Sequence, residues 1–103
     1  MAVKSGQFDV VWPRSQRKVG VRPLARRLDS LDGKKVAELW DFLFRGDEVF
    51  SVLEESLGKR GAQLLSWREF GNIHGQDEHK VLAGLPARFK QLGVDAAIVG
   101  MAC

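Results

Sequence analysis

From residue 34 onward the apolar positions fall in short runs whose spacing switches between strand and helix periods. Lys35-Val36-Ala37-Glu38-Leu39-Trp40 reads as a strand with Asp41 at its end, followed by a loop of heavy apolar content, Phe42-Leu43-Phe44-Arg45-Gly46. Asp47 then reads as a helix N-cap. Behind it Val49, Phe50, Leu53 and Leu57 recur on one helical face, and Gly58 or Gly61 supplies the stop. Residues 62–67 predict a second strand and residues 68–76, with Gly71 and Gly75, a polar loop. A second helix is predicted from about Asp77, with Val81, Leu82, Leu85, Phe89 and Leu92 on one stripe. Pro86 lies inside that stripe, so a break is expected at Gly84-Leu85 with a restart at Pro86, where proline suits a first helical position. Gly93 closes the helix. The remaining run, Asp95-Ala96-Ala97-Ile98-Val99-Gly100-Met101-Ala102-Cys103, reads as a buried strand, apolar on both faces, that ends in a small-residue turn carrying the chain's one cysteine.

Strand, helix, strand, helix, strand in this order predicts a βαβαβ unit with right-handed crossovers, hence three parallel strands, the first of them central. That is half of a doubly wound sheet of Rossmann or flavodoxin-like type. Half a sheet leaves an edge and helix faces unfinished, so completion by another chain or by a copy of itself is expected.

Residues 1–33 have a different character. They show no clean helical or strand period, contain Pro13 and Pro23, and hold one apolar group, Phe8, Val10, Val11 and Trp12, that suits an edge strand or a segment packed on a partner. A short helical turn is expected around residues 24–28. The chain is thus divided into an extended arm, residues 1–33, and a βαβαβ domain, residues 34–103. Charge follows the same division: residues 1–35 carry nine Lys or Arg against three Asp, and residues 36–103 carry seven against ten acidic residues. Arg14, Arg17, Lys18, Arg22, Arg26 and Arg27 form the basic core, which suits phosphate groups or an acidic neighbour. Nucleic acid is the weaker reading, because no stacking aromatics are interleaved with these charges.

At 103 residues the chain has the length of one small domain. It holds no apolar run of the roughly 18 residues needed to cross a bilayer and no signal-peptide core at its start, so a cytoplasmic protein without a membrane span is expected. A single cysteine forms no internal disulfide and no thiolate zinc site alone. Cys103 is therefore a structural thiol, a reactive thiol, or a metal ligand completed by another chain. Ligands in open α/β sheets bind beyond the carboxyl ends of the strands, where Cys103 is expected with Gly100 and Ala102 allowing close approach. Asp41 is expected on the same edge, to orient a substrate or a base or simply to form a turn. Trp40, Phe42, Phe44 and Trp67 supply aromatic material for a pocket wall, an interface or the core. His74 and His79, five apart, lack the spacing of a helical metal pair and read as solvated. The glycines form no dinucleotide or phosphate-loop fingerprint, so no nucleotide cofactor is expected.

The stretch Arg22-Pro23-Leu24-Ala25-Arg26-Arg27-Leu28-Asp29-Ser30-Leu31-Asp32-Gly33-Lys34-Lys35-Val36, taken with residues 94–103, resembles the front half of the UGSC-type family. That family comprises thiol or selenol proteins named for a Sec/Cys-Gly-Ser-Cys motif just after such a strand. The likeness covers residues 22–103 and implies a reactive thiol at or beside Cys103. Here the sequence stops on Cys103, before the Gly-Ser-Cys portion. Either the motif continues in another polypeptide, or a selenocysteine codon is read as stop, or the chain is the small subunit of a split enzyme. Two functional expectations follow. In the first, the chain is a subunit of a hetero-oligomeric, alternatively homo-oligomeric, enzyme whose thiol-dependent or metal-dependent site uses Cys103 and Asp41, the metal being shared with a partner. In the second, it is a non-catalytic interaction module that completes a partner's sheet.

Overall fold

The computed structural model describes residues 6–101. Its regular elements begin at Lys35 and run β1 (Lys35–Trp40), α1 (Gly46–Gly58), β2 (Gln63–Leu65), a 3-10 turn (Trp67–Glu69), α2 (Glu78–Leu92) and β3 (Ala96–Gly100). The strands form one parallel sheet of order β2-β1-β3, so the fold is α/β and β1 is the central strand.

Alternation along β1 sends its side chains to two different layers. Ala37 and Leu39 pack with Phe70 and with Leu85, Phe89 and Leu92 of α2. Val36, Glu38 and Trp40 point the other way, where Phe50 of α1 is fully buried and reaches the level of Gly100. Two polar contacts fix the start of the sheet: the Lys35 amide donates to Asp95 Oδ2 at 2.9 Å, and Lys35 Nζ donates to the Leu92 carbonyl at 3.0 Å. Gly93, at φ 69°, closes α2 in the left-handed conformation expected of a C-terminal glycine.

Several local expectations are corrected. The helix α1 starts one residue before Asp47, behind Arg45 in the left-handed region, with no side-chain cap; Asp47 and Glu48 instead sit in its first turn, where they favour the helix dipole. The second strand is only three residues long, because Ser66 breaks away and its hydroxyl accepts from the Arg68 amide to start the 3-10 turn. The helix α2 does not break at Gly84-Leu85 but runs through Pro86. Proline removes a bond to the carbonyl of Leu82, an exposed residue, while Leu85 and Phe89 on either side anchor the helix to the core. The third strand is not covered on both faces: β3 lies at the edge of the sheet among the described residues, its positions alternate between half-buried and exposed, and Val99 is 63% exposed.

Residues 6–34 contain no helix or strand, so the helical turn expected around residues 24–28 is absent, as is any strand over residues 6–12. Residues 24–28 run past Asp95, Ala96 and Ala97 at the start of β3. Phe8, Val10, Val11, Trp12, Val19, Val21 and Leu24 are all exposed. The radius of gyration, 20.6 Å, exceeds the roughly 13 Å of a compact chain of this length, as such an extended lead requires.

Candidate functional site

The carboxyl ends of β1 and β3 lie side by side, with Trp40 paired to Gly100. Asp41 extends that pairing by one residue, its amide donating to the Gly100 carbonyl at 3.3 Å. Its side chain is buried, and Oδ1 accepts from two amides: Leu43 at 3.2 Å and Met101 at 3.3 Å. One carboxylate oxygen thus ties the loop leaving β1 to the residue leaving β3. The expectation that Asp41 stands at the carboxyl edge beside the end of β3 is met. Cys103 follows Met101 by two positions and lies outside the described residues.

An aromatic cluster flanks Asp41. The rings of Trp40, Phe42 and Trp67 stand 5.0 Å (Trp40 to Phe42), 4.6 Å (Trp40 to Trp67) and 5.4 Å (Phe42 to Trp67) apart in tilted and edge-on arrangements, and the Arg68 guanidinium lies 4.2 Å over Trp67. Phe44 forms no ring pair with this cluster among the described residues. The loop between β1 and α1 is bent by three non-glycine residues of positive φ: Phe42 at 64°, Phe44 at 57° and Arg45 at 55°. Trp40 pins the bend by donating its indole N–H to the Leu43 carbonyl at 2.9 Å, and the indole closes over Gly46, where any Cβ would collide with it.

Beneath the cluster lies a group that the pattern reading passed over. Glu38, in the middle of β1, is fully buried; Oε1 accepts from the Trp67 amide at 3.4 Å, and Oε2 has no partner. Burial first, and the neighbouring Glu54 of α1 second, push the Glu38 carboxyl up from 4.5 to about 8, against a weaker opposite pull from the Trp67 amide and Arg68. At neutral pH Glu38 is therefore held mainly as the protonated acid. In that form Oε2 becomes a donor, and Glu54 is the neighbouring group able to accept from it. The sequence did carry a signal for this group: in a strand between two helix layers an acid flanked by Ala37 and Leu39 has no solvent face to turn to.

His74 and His79 are exposed, and His74 Nδ1 lies 4.0 Å from Glu78; the backbone just before His74 reaches the end of β1, where the Ile73 amide donates to the Trp40 carbonyl at 3.2 Å. Among the described residues no three His, Cys, Asp or Glu side chains gather into a metal site. No helix among them is long and apolar enough to cross a membrane.

No curated protein and no solved structure matches the chain. The family comparison does: it matches residues 9–103, most of the chain and more than the stretch that carries the resemblance in the sequence, and on that match the chain belongs to the UGSC family.

Proposed function

We propose that this chain is a small α/β subunit of an oligomeric enzyme, contributing Cys103 to a thiol-dependent or metal-dependent site at a subunit interface, with Asp41 as the group that orients substrate or base. The observation that carries this reading is the Asp41 carboxylate, which is buried and bonded to the Met101 amide two residues before the cysteine. Its position is where ligands bind in open α/β sheets, at a point where neighbouring strands are reached from opposite faces. The three strands then count as half of a doubly wound sheet. A second subunit would complete it along β3, whose outer edge is unpaired among the described residues and carries the exposed Val99.

In the thiol form of the site, the Cys103 thiolate attacks as nucleophile or redox group, and a cytoplasmic setting keeps it reduced. In the metal form, Cys103 supplies one ligand and the partner supplies the others. A second reading, a non-catalytic module that completes a partner's sheet, is favoured by one observation: the exposed Phe8, Val10, Val11 and Trp12 of a basic arm offer contact surface and no chemistry.

Native mass spectrometry of the untagged protein from its own cell, with metal read from the same sample, separates the two when joined to an alkylation pH profile of Cys103. The enzyme reading expects a stoichiometric partner and either bound metal or a thiol pKa at least a unit below the usual ~8.5. A metal-free monomer or self-dimer with an ordinary thiol overturns it.

A further inference from the structure

A groove enclosing a cavity of 380 Å³ runs between the 3-10 turn and α2. Its floor is apolar: Phe70, buried and edge-on to Phe89 at 5.5 Å, with Val81 and Leu85 of α2. Four charged side chains line it as well, the acids Glu69 and Asp77 and the bases Lys80 and Arg88. Among the described residues none of the four joins an ion pair, and Arg88 donates instead to the neutral Gln91 Oε1 at 3.3 Å. Gly84 completes the lining. It stands in the middle of α2, where glycine is less favourable than alanine, yet a Cβ there would meet nothing within 4 Å and no positive φ requires its absence. The bare backbone at Gly84 thus serves no packing inside the chain; its effect is to keep the groove open. The loop that leads into α2 reaches the end of β1, with the Ile73 amide donating to the Trp40 carbonyl at 3.2 Å. The Asp77 end of the groove therefore lies toward the carboxyl end of the sheet, the end at which open α/β sheets bind ligands.

We propose that this groove binds a small zwitterion with a hydrocarbon side chain, of the class of the apolar α-amino acids. The lining selects that class. An apolar floor alone would take any hydrocarbon, and two bases alone any anion. Two charges of each sign around an apolar floor leave one sign unmatched by a plain anion or a plain cation, and both unmatched by a neutral molecule. A carboxylate beside Lys80 or Arg88 and an ammonium beside Glu69 or Asp77 match the two together, while the hydrocarbon covers Phe70 in the space that Gly84 leaves. The cavity is of a size used by small-molecule sites, roughly 300–1,000 Å³. The inference goes beyond the reading of Cys103, since it needs neither the thiol nor a metal.

The test uses the full chain and L-leucine, with isocaproate as the same molecule without its ammonium, isoamylamine as the same molecule without its carboxylate, and glycine as the zwitterion without the hydrocarbon. Binding is read from the Phe70, Gly84 and Leu85 amides by nitrogen-15 NMR, and stability from thermal unfolding. L-leucine is expected to bind with a Kd of the order of 1 mM, and glycine about tenfold more weakly. Isocaproate and isoamylamine are each expected to bind about two- to fivefold more weakly than L-leucine, the worth of one exposed charge pair. Gly84→Leu fills the groove without meeting another side chain, so it should hold or raise Tm and weaken L-leucine at least about tenfold. Two double variants keep the question open to disproof if that one folds poorly. Lys80→Gln with Arg88→Gln should remove the preference for L-leucine over isoamylamine, and Glu69→Gln with Asp77→Asn the preference over isocaproate. No saturable shift at about ten times the expected Kd overturns the proposal. So does isocaproate or isoamylamine binding as tightly as L-leucine, or Gly84→Leu binding it as wild type does. A wild type that ignores L-leucine and self-associates while Gly84→Leu is monomeric overturns it too, and makes the groove an interface.

Discussion

Glu38 of β1 and Glu54 of α1 form a carboxyl pair across the layer between sheet and helix, with Glu38 fully buried and its Oε2 without a partner as an ionised group. Burial first, and the neighbouring Glu54 second, disfavour a charge on Glu38, so the fold keeps a proton on it. That proton links stability to pH. Between the ordinary 4.5 and about 8 the folded chain binds a proton that the unfolded chain has released. This contribution to stability is fully present below 4.5, declines as pH rises through the window and is gone above about 8.

Glu38→Gln is accordingly expected to flatten the pH dependence of unfolding. At pH 8 and above it should be more stable than wild type by about 2 kcal/mol, because a neutral amide replaces a carboxylate that must ionise without solvent. Urea unfolding of both proteins at pH 5, 7 and 9 checks this. A variant no more stable than wild type at pH 9 would mean that Glu38 finds a counter-charge when it ionises.

Asp41 offers a second test through its two amide donors. Asp41→Ala leaves the half-buried Leu43 and Met101 amides without their acceptor and is expected to cost about 1–2 kcal/mol by urea unfolding. Asp41→Asn keeps an oxygen in the same place and should cost less than about 1 kcal/mol. If Asp41 serves the chemistry as well as the fold, Asn at this position keeps stability and still changes the alkylation rate of Cys103. Equal alkylation rates in wild type and Asp41→Asn would limit Asp41 to a structural role.

Two glycines in helices should respond in opposite directions to alanine. At Gly46 a methyl group would enter the Trp40 indole, so Gly46→Ala must displace the ring that holds the Phe42–Arg45 bend and is expected to cost about 2 kcal/mol. At Gly84, in the middle of α2, the same methyl meets open space, and Gly84→Ala is expected to gain up to about 1 kcal/mol in helix propensity. Thermal unfolding of the two variants side by side is sufficient, and a gain at Gly46 would show that the indole is free to move.

The order of elements was legible because it rests on local pattern. Lys35–Trp40 forms the strand that the sequence predicts, Gly93 ends α2 where a left-handed glycine is called for, and the βαβαβ order predicts the three parallel strands, which the sheet arranges with β1 between the other two. The position of Asp41 at the carboxyl edge follows from the same pattern, since a residue at the end of a strand occupies one edge of a parallel sheet. Pro86 misled because proline signals a helix break by what it removes, while Leu85 and Phe89, set by contacts with β1 and Phe70, decide whether the helix survives.

By itself, then, the sequence determined the α/β class, the succession of elements and the edge on which Asp41 lies, all of which follow from the periodicity of neighbouring residues. Only the tertiary structure decided that β3 is a half-exposed edge, that Trp40 gathers Phe42 and Trp67, that Phe44 is strained and open to solvent, and that Glu38 keeps its proton. Each of these depends on what lies across from a residue, such as Glu54 from Glu38 or Gly46 from Trp40, and spacing along the chain does not encode such pairings until the layers have packed.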